Sequence, residues 1–301
     1  MKRVFVIVAV ASMMLAGCGS SSVEEEAAVE SSSKQLVTIT MSPFTQETMG
    51  AKSRVQTRAT VPISNVVTRL DLWVFEGDAA KAVTQTAAVG ESHQTTADAD
   101  FGSFSLMLDK NKTYTLYAVG HKESGPASIA SGVVSFPDAK KLNTLVYSQS
   151  FTPSKTTTLN CVMQRAVGMF RVVMKDEIPS EVKKIEIVAG KTPTQWDFPL
   201  QSGITPRTDD YDVSWTTWGM DKDNGTTAFS IYILGSDTET KYSVTVNATD
   251  ADGNILKTHT FTDVPIRNNY RTIYTGNFFR DTSFSSTFVV DDTWTDNEVS
   301  Y

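Results

Sequence analysis

Four residues near the start have the types and order for one covalent reaction. Leu15-Ala16-Gly17-Cys18 places small side chains before a cysteine. This is the pattern a lipoprotein signal peptidase needs in order to cut before a thiol that carries diacylglycerol. Lys2 and Arg3 precede an apolar run from Val4 to Met14 that only Ser12 interrupts. Such a run is too short to remain in a bilayer as a spanning helix, and its flanks are those of a removable signal peptide over residues 1–17. Cys18 is therefore the expected lipidation site. Two or more acyl chains, at about 0.8 kcal/mol per buried methylene, hold a protein stably on a membrane.

Other reactive side chains are sparse. The three histidines, His93, His121 and His259, are isolated along the chain and read as solvated or turn residues. HExxH, GxSxG and Walker-type loops are missing, so no catalytic residue and no cofactor is expected. Asp250-Ala251-Asp252-Gly253 has part of a calcium-loop pattern, but that register puts Ala248 first and His259 last, where carboxylates are required. A hairpin turn is the better reading, and no metal is expected. Cys161 alternates with Leu159 and Met163 and reads as a buried core thiol. Between Gln195 and Gly225, Trp196, Tyr211, Trp215 and Trp218 stand among Asp209, Asp210, Asp212, Asp221 and Asp223. Exposed, they would stack on sugar rings; the preferred reading packs the tryptophans under a loop.

Charge narrows the partners. Residues 1–17 hold two basic side chains and no acidic one, so the mature chain carries 25 basic against 34 acidic groups, a balance of −9. No basic stripe offers itself to phosphates, and nucleic acid is not an expected partner. From Gly19 to Ser33 the chain is small, polar and acidic, the composition of a flexible tether. Glu24-Glu25-Glu26 resembles the acidic surface-export signal of Bacteroidetes lipoproteins, displaced a few residues from the cysteine. A surface-exposed outer-membrane lipoprotein is the expectation.

The elements that must position any site are strands, because period-two alternation dominates after the tether. Leu36–Met41 is a first short strand, and Val66–Phe75 places Leu70, Leu72 and Val74 on one face. Ser103–Leu108 and Tyr114–Val119 flank Asp109-Lys110-Asn111-Lys112, a hairpin signal. Pro137–Leu142 reads as one helical turn, and Leu145–Phe151 as a strand closing the first half. Strands follow at Leu159–Gln164, Val167–Met174, Val182–Val188, Ala228–Leu234, Tyr242–Ala248 and Ile255–Phe261. Many short strands between turn signals predict β-sandwiches, with a boundary at Pro153-Ser154-Lys155.

Several segments together resemble a known family. They are Thr57-Arg58-Ala59, Val67–Phe75, Met163–Val172, Val264–Thr272 and Tyr274–Phe279. In this order behind the lipidation motif, they resemble the fimbrillin family of Bacteroidales type V pili across nearly the whole mature chain. The resemblance implies an all-β fold of two tandem transthyretin-like β-sandwich domains and no enzymatic activity. It implies a layout of signal peptide 1–17, tether and pro-segment 18–58, sandwiches 59–154 and 155–280, and a C-terminal strand and tail 281–301.

Assembly by strand exchange is implied as well. An arginine-specific protease would cut between Arg58 and Ala59, with Arg54 as a nearby alternative. Leu36–Met41 would leave, and a neighbour's strand would fill the vacated groove. Phe284, Ser286, Phe288 and Val290, on one face of an extended segment, would be that donor; the alternative is an ordinary terminal strand paired in its own sheet. The implied partners are other fimbrial subunits, the outer membrane through the lipid on Cys18, and a host or bacterial surface ligand. A tip or anchor subunit is the alternative within the family. A glycan-binding surface lipoprotein is the alternative outside it.

Overall fold

In a computed structural model of the chain, the described residues are 33–43, 62–138, 143–154, 157–206, 208–216, 227–280 and 284–290. The fold is all-β. The first strands are β1 (Lys34–Pro43), β2 (Arg69–Glu76), β3 (Gly90–Thr95), β4 (Ser103–Asp109) and β5 (Tyr114–His121). After them come β6 (Ser128–Ala130), β7 (Val133–Ser135), β8 (Leu145–Phe151) and β9 (Thr157–Arg165). One sheet of order β3-β2-β5-β8-β9-β1-β4 folds over so that its two halves face each other. Val37, Ile39, Leu70, Leu72, Leu116, Cys161 and Met163 meet between them.

Ten more strands follow. They are β10 (Val167–Met174), β11 (Lys184–Gly190), β12 (Pro193–Asp197), β13 (Ser202–Pro206) and β14 (Asp210–Thr216). The last are β15 (Thr227–Leu234), β16 (Thr240–Thr249), β17 (Ile255–Ile266), β18 (Tyr270–Gly276) and β19 (Phe284–Val290). Sheets β15-β10-β18-β19 and β14-β11-β16-β17 enclose a second core around Phe170, Ile185, Ile187, Ile231, Val246 and Phe278. A small sheet, β13-β12-β7-β6, draws strands from both halves of the chain. It covers a third cluster in which Trp73, Tyr117 and Val134 meet Val167, Trp196 and Leu234.

Sequence explains why β2 lies at the centre. Leu70, Leu72 and Val74 enter the first core, while Trp73 and Phe75 on the opposite face enter the third cluster. A strand buried on both sides reads as a nearly continuous apolar run, as this one does.

Two expectations are corrected. The Asp109–Lys112 turn does not make a hairpin: β4 pairs with β1, and β5 pairs with β2 and β8. The turn, with Asn111 at a left-handed φ of 64°, is instead an arch from one half of the sheet to the other. It carries Leu108 and Tyr114 to facing sides of the same core. The boundary at 153–155 is the second correction. That segment joins β8 to β9, which pair with each other in the first sheet, and the chain passes to the second sandwich at Ala166. The helical turn expected at 137–142 falls largely outside the described residues.

Candidate functional site

β1 is an inner strand of the first sheet. It runs antiparallel to β4, from Lys34 opposite Asp109 to Thr40 opposite Ser103. On its other side it runs parallel to β9, from Val37 beside Thr157 to Pro43 beside Met163. Val37 and Ile39 are fully buried and Met41 nearly so, while Leu36 and Thr40 face out. Burying side chains of this kind is worth about 1.5–3 kcal/mol each. The short alternating segment expected as a removable strand is thus seated by two ladders and three apolar side chains.

Cys161 lies beside Met41 in the floor of this seat and is fully buried. Burial pushes its thiol up to about 11, with a hydrogen bond from Tyr147 acting in the opposite direction. A thiol whose pKa is raised by folding contributes stability fully present below its ordinary value of 9.0 and lost as pH rises through about 11. At about 1.4 kcal/mol per unit, urea melts should show the parent losing about 2–3 kcal/mol relative to Cys161→Ala between these limits. Parallel curves for the two proteins would refute this.

β19 is the other half of the expected exchange. Its backbone pairs antiparallel with β18 at the edge of the second sandwich, from Tyr270 opposite Val290 to Gly276 opposite Phe284. The backbone through Phe284, Ser286, Phe288 and Val290 therefore, in the single chain, completes its own sheet. The stretch that leaves β18, residues 278–280, is held by Asp176, only 6% exposed. Its Oδ1 accepts from Phe278 N at 2.8 Å, and its Oδ2 from Phe279 N at 2.5 Å and Arg280 N at 2.9 Å. Cys18, Arg54, Arg58 and Ala59 lie outside the described residues.

Sequence reading missed a buried polar network on β2, β3 and β5. Asp71 is fully buried, and its Oδ2 lies 2.7 Å from His121 Nε2 and accepts from Ala127 N at 2.8 Å. Its Oδ1 lies 2.7 Å from His93 Nδ1, and His93 Nε2 lies 2.9 Å from Glu91 Oε1. Trp73 Nε1 also donates to that Glu91 oxygen, at 2.9 Å. Histidines expected to be solvated are therefore structural: His121 is fully buried, and His93 bridges two carboxylates. The available signal was Asp71 itself, a carboxylate inside an apolar run that must find partners when buried.

The alternative of a sugar platform does not hold for its first members. Trp196 and Tyr211 are each 1% exposed and belong to the cores. Trp215 pairs through its backbone opposite Ile185, and Trp218 lies outside the described residues. Asp250 closes the β16–β17 turn, accepting from Asp252 N at 3.0 Å and Asn254 N at 2.8 Å. Hydrogen bonds from Asn254 hold its carboxyl below the usual range. Among the described residues no group of three or more His, Cys, Asp or Glu side chains is arranged to hold a metal ion.

Solved structures similar to this chain include Mfa2, the fimbrial anchor protein of Porphyromonas gingivalis. It is 11% identical with a TM-score of 0.46, covering 86% of this chain and 98% of that one. A fimbrial assembly protein of Parabacteroides distasonis is 9% identical with a TM-score of 0.45, covering 86% and 97%. A proposed polysaccharide-binding protein of Bacteroides thetaiotaomicron is 10% identical with a TM-score of 0.49, covering 85% and 96%. No curated protein sequence matches the chain. The model of a family of unknown function, DUF6562, matches residues 141–300. That match takes in more than half of the 301 residues, and the chain belongs to this family.

Proposed function

We propose that this chain is a structural subunit of a cell-surface fimbria, assembled by protease-triggered strand exchange and supporting adhesion. The precursor would sit on the outer membrane through lipid on Cys18, and cutting after Arg58 would leave β1 held by non-covalent contacts alone. The seat of β1 carries this reading. An inner strand that precedes an arginine-containing linker can be lost whole, and its loss opens a strand-wide apolar slot. β-Augmentation would refill the slot, with ladder bonds supplying affinity and alternate side chains supplying fit. β19 of a second copy has the required alternation, and head-to-tail exchange does not close on itself, so it generates a filament. The proposal assigns no enzymatic activity and no cofactor.

A terminal role, tip or anchor, is the second reading. The seating of β19 in its own sheet favours it, because a subunit that keeps its last strand can accept a neighbour but cannot donate.

Purified precursor treated with an arginine-specific protease should grow in size by light scattering. Arg54→Ala with Arg58→Ala should remain monomeric. Phe288→Asp should be cut yet fail to grow, because an unpaired carboxylate would have to enter the apolar slot. A parent that is cut and stays monomeric removes the stalk role and leaves the terminal one.

A further inference from the structure

We infer that β4, the outer wall of the seat of β1, is held independently of β1 by two side-chain clamps, Gln94 and Tyr114, so that the seat persists as a groove when β1 leaves. The occupant rests on the strand-exchange reading above; the clamps rest on geometry. Among the described strands, β4 is the last in its sheet and pairs with β1 alone. Departure of β1 therefore removes every ladder bond of β4. A wall with no other tie would peel away with it, and no slot would remain for an incoming strand.

Both ends of β4 have ties that do not involve β1. Gln94, on β3 and only 6% exposed, donates through Nε2 to Ser103 O at 2.8 Å and accepts through Oε1 from Gly102 N at 2.9 Å. Its amide reads the start of β4 as a neighbouring strand would. At the other end, Tyr114 Oη accepts from Asp109 N at 3.1 Å, across the arch between β4 and β5. Between the clamps, Phe104 and Leu108 are each 5% exposed and pack into the first core.

The first clamp also prepares the docking edge. The Gly102 carbonyl accepts from Met41 N at 2.7 Å, so the residue whose N–H is fixed by Gln94 presents its own acceptor to the seated strand. Gly102 has φ +93°, a conformation that side chains other than glycine's rarely adopt. The opposite wall, β9, pairs with β8 beyond the seat, at Gln164 and Arg165, and along the seat it is held by Cys161 and Met163 packing into the first core. The groove so held takes a strand parallel to β9 and antiparallel to β4, apolar at three alternate positions.

The test uses the full, uncut chain and amide hydrogen exchange. Val37→Asp with Ile39→Asp puts two carboxylates into the apolar floor and should unseat β1, lowering its amide protection by about 100-fold or more. Gly102 and Asp109 amides should stay within about tenfold of the parent. Adding Gln94→Leu and Tyr114→Phe to that variant should lower protection from Gly102 to Asp109 by about 100-fold, whereas the same pair alone should not, because β1 still holds β4.

The inference is overturned if Gly102 and Asp109 lose protection together with β1, or if unseating β1 unfolds the first sandwich. It is overturned equally if β1 keeps its protection despite two buried carboxylates, or if the four-fold variant keeps β4 protected. Assembly is read separately by the protease assay. A chain that keeps the groove without polymerising refutes the stalk role alone, and one that polymerises while β4 unravels refutes the clamps alone.

Discussion

Asp71→Ala is expected to destabilise the first sandwich by about 3–5 kcal/mol, the range seen when one partner of a buried charged group is removed. The carboxylate is fully buried, and three groups from different segments converge on it. Glu123 N donates to His121 Nδ1 at 3.1 Å, which places the lone pair on Nδ1 and the proton on Nε2. His121 therefore donates to Asp71 Oδ2 across 2.7 Å. Ala127 N donates to the same oxygen at 2.8 Å, and His93 Nδ1 lies 2.7 Å from the other. Alanine leaves the His121 and Ala127 donors buried without a partner, at about 1–3 kcal/mol each. Asp71→Asn fills the same volume and keeps one acceptor, so its cost should fall between parent and alanine.

Urea unfolding followed by tryptophan fluorescence reads this well, because Trp73 is hydrogen-bonded to Glu91 within the same network. Unequal weakening of the sandwiches should split the transition in two, with the Trp73 signal in the earlier step. A loss under about 1 kcal/mol for Asp71→Ala would refute the network's structural role.

β1 was legible because its alternation survives intact: Val37, Ile39 and Met41 are the residues that pattern puts inside. β2 was legible on its first face for the same reason. The arch between β4 and β5 was not, because Asp109-Lys110-Asn111-Lys112 suits a hairpin and an arch equally. What decides is the partner of β4, and that is β1, distant in sequence. The short strands β6, β7, β12 and β13 span three to five residues, too few for a period to register. The histidines were isolated only along the chain, since His93 stands directly opposite Asp71 across the β2–β3 ladder. For β19, the alternation that would fit a neighbour's groove also fits its own sheet, so periodicity alone left its pairing open.

Asp176→Ala should cost the second sandwich about 3–5 kcal/mol, and its effect should concentrate at residues 278–280. Hydrogen bonds to an ionised group contribute about 1.5–3 kcal/mol each, and three that share one carboxylate fall short of their sum. The carboxylate takes the N–H groups of Phe278, Phe279 and Arg280, the stretch that leads from β18 to β19. Phe278 is 1% exposed in the second core, and Lys175 N donates to Gly276 O at 2.8 Å, so the stretch is fixed from both sides. Without Asp176, three amides at a part-buried turn lose their acceptor while the Phe278 ring still anchors the chain.

Amide exchange at 278–280 should then rise by about 100-fold or more, ahead of global unfolding. Asp176→Asn retains one acceptor oxygen but turns an NH2 toward an N–H, so it should lie between the two. Unchanged protection at 278–280 in the alanine variant would refute the assignment. The consequence reaches β19 through register. Tyr270 pairs with Val290 and Gly276 with Phe284 because the chain leaves β18 at a fixed point. A slip by one residue would change every backbone partner in that ladder, so Asp176→Ala should also raise amide exchange along 284–290 if the 278–280 stretch helps to set the register.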